Sequence, residues 1–237
     1  ELAAYQVPLR FWQGQVSAAS PEGILLWAPD ANDLVVVPPD GDPFLHGGLP
    51  SQRPPLAAAW GDSGTIEVFV EIPPSLYALT RDAEVQRRWH LPDDMVIEDA
   101  VRVGTGWIVL YLGLDGRSHL AKWTFDTEAR PAWSRESPTT GSVSLRSSGE
   151  RLLVTSKNPP FSVHVLDSDG TEVTHFAPPL DGVDSGCAGG SSLTTSAPAI
   201  DLRGAYLQTV RSDLGDCGVV VVYDSVGTPL SVRGRPP

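Results

Sequence analysis

The stretch Val163-His164-Val165-Leu166-Asp167-Ser168-Asp169-Gly170 is a short apolar, β-branched run closed by Asp-x-x-Gly. Such a run has the composition of a strand. An aspartate can bond the backbone amides that follow it, and a glycine supplies the positive φ that a tight turn needs, so the stretch is one arm of a hairpin and its turn. The same arrangement recurs in both directions along the chain. Val35-Val36-Val37-Pro38-Pro39-Asp40-Gly41, Ala78-Leu79-Thr80-Arg81-Asp82, Lys122-Trp123-Thr124-Phe125-Asp126 and Val221-Val222-Tyr223-Asp224-Ser225-Val226-Gly227 repeat its looser form, an apolar strand followed by Asp and a few small or polar residues, often with Gly. The aspartate position falls at 38 (a proline), 82, 126, 167 and 224, giving steps of 44, 44, 41 and 57 residues.

A period in the low forties with room for four short strands per unit predicts an all-β β-propeller of about five four-stranded antiparallel blades, with a sixth left open. The blades are expected over about 11–50, 51–92, 93–137, 138–180 and 181–237, forming one domain over 1–237. In the third unit the strands are expected near Ala100 to Val103, Trp107 to Leu112, Leu120 to Phe125 and Arg130 to Ser134. Residues 1–10, through Ala4-Tyr5-Gln6-Val7-Pro8-Leu9, are candidates for a ring-closing strand, because an open propeller would expose two sheet edges. The repeat of apolar strand, Asp-x-x-Gly and apolar strand resembles the bacterial NHL-like propellers, whose rings more often have six or seven blades. The resemblance is architectural and implies no catalytic residue.

Composition agrees with short strands and frequent turns. Glycine (23) and proline (22) punctuate a chain of 237 residues that is 41% hydrophobic, enough to bury a core. The net charge of −12 comes from 29 acidic against 17 basic residues, and Lys122 and Lys157 are the only lysines. A surface of that sign repels phosphate backbones, which argues against nucleic-acid binding. No apolar run is long enough to span a membrane. The first residue is Glu1 and not a methionine, which suggests a processed or a trimmed chain. Cys187 and Cys217 sit in glycine-rich, turn-like surroundings and read as one disulfide, which places the protein in the periplasm or outside the cell.

No phosphate-cradling loop, nucleophile elbow, HExxH or EF-hand pattern occurs, so no catalytic residue and no cofactor are assigned. His46 and His90 lie near blade ends, and His164 and His175 lie on adjacent strands of one hairpin where they could face each other. A histidine pair makes a poor metal site without a carboxylate, and no metal is expected. Asp93, Asp94, Glu98, Asp99 and Asp201 could bring carboxylates towards a central channel, with Asp62 before a glycine turn. Paired carboxylates of that kind would serve a glycoside hydrolase, so a glycan-directed propeller, hydrolase or lectin, is the alternative reading.

Among the seven tryptophans, Trp107 and Trp123 sit inside apolar strands, where they should pack between blades. Trp89 and Trp133 fall on outer strands beside arginines, giving Arg88, Trp89, Arg130, Trp133 and Arg135 the composition of a protein interface, with inter-strand stacking as the other reading. The leading expectation is a non-catalytic extracytoplasmic scaffold that binds a protein partner, such as an extrinsic subunit of a photosynthetic or respiratory membrane complex.

Overall fold

The structure is a computed structural model that describes residues 15–20, 22–27, 34–38, 44–46, 55–80, 82, 84–148, 150–158, 160–177, 193–195, 199–200, 206–212 and 218–234. Residues 1–10, proposed above as a closing strand, lie outside these. The described residues form strands and turns, with a single 3-10 turn at Asp62–Gly64.

Among the described residues, five sheets follow one another along the chain. The first holds β1 (Gln15–Ser20), β2 (Gly23–Trp27), β3 (Leu34–Val37) and β4 (Phe44–His46), and the second β5 (Ala57–Trp60), β6 (Ile66–Val70), β7 (Ser75–Leu79) and β8 (Val85–His90). The third holds β9 (Val96–Val103), β10 (Gly106–Leu112), β11 (Ser118–Phe125) and β12 (Ala129–Glu136). The fourth has β13 (Val143–Ser148), β14 (Arg151–Ser156), β15 (Val163–Leu166) and β16 (Glu172–Phe176). The fifth has β17 (Leu193–Thr195), β18 (Ala199–Ile200), β19 (Tyr206–Ser212), β20 (Gly218–Tyr223) and β21 (Pro229–Gly234).

Within each sheet the strands pair in chain order as an antiparallel meander, the simplest outcome when tight turns join successive strands. In the fifth, β17 and β18 pair in turn with β19 and together occupy the place of one first strand. Five successive sheets of this kind give the all-β propeller-type fold that the repeat predicted.

The third strand of the first two sheets is buried on both faces: every residue of β3 and of β7 is buried. That is why these segments read as continuous apolar runs and not as alternating ones. The fourth strands β8 and β12 are exposed along most of their length, and their sequences carry the arginines.

The chain divides into two compact units, Glu1–Gly113 with Trp123–Ala132, and Leu114–Lys122 with Trp133–Pro237. In the first unit Leu25, Leu34, Val36, Ile66, Val68 and Leu79 form one core between the first two sheets. In the second, Leu153, Val163, Val165, Phe176, Tyr206, Val221 and Tyr223 form another between the fourth and fifth. Each fully buried aliphatic side chain here stabilises the fold by roughly 1.5–3 kcal/mol relative to exposure.

The recurring turn is built by side-chain oxygens. Oδ1 of Asp167 accepts the N–H of Asp169 and Thr171 at 3.0 and 2.8 Å, and Oδ1 of Asp224 accepts those of Val226 and Thr228 at 3.0 and 2.8 Å. Gly170 and Gly227 take φ of +78° and +87° in these turns. In the second sheet the same task falls to Thr80, whose Oγ1 accepts the N–H of Asp82 and Glu84 at 3.2 and 3.1 Å. The marker position there is therefore residue 80, two places before the aspartate that the sequence suggests.

Candidate functional site

The outer-strand tryptophans point their indole N–H groups at the turn of the next sheet. Nε1 of Trp89, on β8, donates to the carbonyl of Asp126 at 2.9 Å, and its ring meets that of Phe125 edge-on at 5.7 Å. Nε1 of Trp133, on β12, donates to the carbonyl of Ser168 at 3.3 Å. On β16 the hydroxyl of Thr174 does the same to the carbonyl of Val226 at 2.9 Å. Three outer strands thus fasten to the Asp turn that follows them in the chain.

The turn glycines act as sockets for these strands. A Cβ on Gly170 would stand 2.9 Å from Cζ2 of Trp133 and from Cζ of Arg135, and one on Gly227 would meet Cδ1 of Phe176 at 2.5 Å. Arg135 lies 4.8 Å above the Trp133 ring and donates to the carbonyls of Gly170 and Asp169. Arg88 lies 5.1 Å from the Tyr77 ring and bonds the Ser75 hydroxyl at 3.4 Å. Arg130 pairs with Glu128 at 2.6 Å on an exposed edge. Among the five residues that suggest an interface, Arg88 and Arg130 remain exposed with contacts inside their own sheet or turn, whereas Trp89, Trp133 and Arg135 reach the neighbouring turn.

Trp107 packs as its apolar strand suggests. It is fully buried, 5.5 Å from the Phe69 ring, and its Nε1 donates to Oε2 of Glu67 at 2.7 Å. Arg102 bonds the same Oε2 at 3.0 Å and Oδ1 of Asp62 at 2.9 Å. Beside this network an open groove of about 720 Å³ is lined by Glu22, Gly61, Asp62, Gly64, Thr65, Thr80 and Gln86. Asp93 and Asp94 lie in an exposed turn, Glu98 is exposed, and Oδ1 of Asp99 accepts the N–H of Ala100 at 2.9 Å. Asp201, Cys187 and Cys217 lie outside the described residues.

A third constellation joins the two histidines of the fourth hairpin. His164 on β15 and His175 on β16 are directly opposed, their rings stacked at 5.5 Å with planes 25° apart. Nδ1 of His164 donates to Oε2 of Glu172 at 2.7 Å, and Nδ1 of His175 donates to Oε1 of the same carboxylate at 2.8 Å. These bonds, the one from His164 first, hold the Glu172 carboxyl below the usual glutamate range. The expectation of no metal rested on the pair lacking a carboxylate, and Glu172 supplies one.

The sequence conceals Glu172 for a geometric reason. It lies three residues from His175, and in a regular strand residues at odd separation face opposite sides. Here the register shifts, with Val165 opposite Thr174 and Leu166 opposite Glu172, so that Val173 is an extra residue. This bulge brings Glu172 to the histidine face.

No protein-family model matches the chain, and comparison with curated protein sequences finds no match. Solved structures do resemble it. A member of the DUF4221 family from Bacteroides vulgatus superposes with a TM-score of 0.61 at 12% identity, covering 90% of this chain and 78% of that one. A protein of unknown function from Bacteroides caccae gives 0.58 at 12% identity over 94% and 82%. Virginiamycin B lyase from Staphylococcus aureus, in a catalytically inactive form with quinupristin, gives 0.57 at 14% identity over 98% and 72%. At these identities the likeness establishes the propeller-type fold of antiparallel four-stranded sheets. It does not single out NHL propellers.

Proposed function

We propose that this chain is a non-catalytic binding propeller that docks a protein partner with an acidic surface, using the arginine-bearing outer strands. The observation that carries the reading is β8. Its Val85, Gln86, Arg87, Arg88 and His90 are exposed around a half-buried Trp89, and it ends the strand order of its sheet. In a chain of net charge −12, a cationic edge strand is selective for a partner of opposite sign. Arg130, exposed on β12, belongs to the same unit and has the same chemistry. The proposed setting is the periplasm or cell exterior, on the strength of the two cysteines in glycine-rich turns, with a membrane-embedded complex as the partner.

The test is a tagged pull-down from solubilised membranes of the source organism, run with the wild type and with Arg87→Glu combined with Arg88→Glu. A stoichiometric partner whose recovery falls about tenfold or more in the double variant is expected. Recovery that ignores the charge reversal, or no partner at all, defeats the reading.

A glycan-directed reading, hydrolase or lectin, is favoured by one observation, the open polar groove bordered by Glu22, Asp62, Thr65, Thr80 and Gln86. Virginiamycin B lyase also places enzyme chemistry on this type of fold, and fold alone does not carry an activity across. A glycan array separates the readings, since saturable binding weakened by Gln86→Ala would favour the groove.

A further inference from the structure

We propose that His164, Glu172 and His175 form a binding site for one divalent transition-metal cation of the zinc class. Each residue offers one ligand atom, and all three atoms lie within 4.8 Å of one another. Zinc holds imidazole nitrogen and carboxylate oxygen at roughly 2.0–2.2 Å, which sets ligand atoms about 3.3 Å apart in a tetrahedron. Small side-chain movements reach that value: the two nitrogen–oxygen separations are 2.7 and 2.8 Å, and all three atoms lie within 4.8 Å. A cation would take the place of the two N–H protons that now face Glu172, each proton passing by way of water to Nε2 of its own ring, or to bulk water where the ring is an imidazolium.

The donor set selects the metal. Two imidazoles and one carboxylate suit zinc, copper or nickel, whereas calcium and magnesium take oxygen ligands. The side-chain exposures of 14% for His164, 39% for Glu172 and 67% for His175 leave one side of the site open to water, which would complete the coordination. Three protein ligands with an open position are the arrangement of an accessible site, unlike the closed four-ligand structural kind.

The scaffold restricts the ligands before any metal arrives. His164 and His175 are held as a directly opposed pair by the strand ladder, and Val165 and Val163 are buried on either side of His164. The bulge at Val173 fixes Glu172 on the same face. An acidic chain also draws cations to its surface.

The experiment is calorimetric titration of the metal-free full chain with Zn²⁺, with Co²⁺ absorption as a second probe. One equivalent of Zn²⁺ is expected, with affinity reduced about a hundredfold or more in His175→Ala and in Glu172→Gln, because even outer-shell partners of a metal are worth 10–100-fold. His175 is exposed, so its removal should leave the fold intact, which circular dichroism checks. His119→Ala, altering the imidazole that pairs with Asp115 at 3.1 Å, should leave binding unchanged. The Co²⁺ complex should show d–d bands without a thiolate charge-transfer band. Absence of binding, binding that survives both substitutions, or a thiolate band that assigns the metal to Cys187 and Cys217 would overturn the proposal.

Discussion

Asp224 does its work through two backbone N–H groups, and the bond from Thr228 is the largest cause holding its carboxyl below the usual aspartate range. A depressed carboxyl stabilises the fold above its unfolded-state value, and that contribution disappears as pH falls through the lower native value. Asp224→Asn should therefore lower the urea midpoint at neutral pH and flatten its acid-side fall, which denaturation between pH 2 and 7 would measure. Glu67 tests a half-buried acceptor. Trp107→Phe keeps the ring packing against Phe69 and deletes the 2.7 Å bond to Oε2, while the bond from Arg102 to that oxygen stays. The expected cost at this half-buried acceptor is about 1–3 kcal/mol by chemical denaturation, and a value near zero would mean that water replaces the indole. At this scale the sequence was informative where a side chain acts on its own turn. Asp167 and Asp224 were legible for that reason, whereas Thr80 was not, because a threonine hydroxyl can substitute for the carboxylate without preserving the Asp-x-x-Gly pattern.

The elements are joined through the sockets of their turns. Gly227→Ala must both hold a φ of +87° and accommodate a Cβ at 2.5 Å from Phe176, whereas Gly116→Ala has a φ of +74° with nothing within 4 Å. Both substitutions carry the left-handed cost of about 1–2 kcal/mol. Gly227→Ala should exceed Gly116→Ala by about 1–3 kcal/mol of overpacking, and equal losses would show that β16 does not press on the turn. Trp133→Ala removes a half-buried ring and its bond to Ser168, and should cost about 2–3 kcal/mol in the same assay. Strand identity was readable because middle strands such as β3 and β10 are runs of apolar residues. The destination of each outer-strand side chain was not, since Trp89 and Trp133 find acceptors 37 and 35 residues further on. The bulge in β16 was hidden as well, because an extra residue such as Val173 changes register without changing composition.

The whole molecule carries a net charge of −12, and its electrostatic consequence is direct: fluorescence anisotropy at physiological salt should detect no binding to duplex DNA. Measurable affinity would require a basic patch larger than the β8 edge. The sequence by itself determined the all-β class, the period of the sheets and most strand positions, because those depend on local composition and on turns whose hydrogen bonds close within about four residues. Only the tertiary structure decided that Thr80 replaces an aspartate, that the outer tryptophans clasp neighbouring turns, and that Glu172 joins His164 and His175. The first is a local exchange of a hydroxyl for a carboxylate, and the other two depend on register and on packing between sheets, where a one-residue shift reverses the face on which a side chain lies.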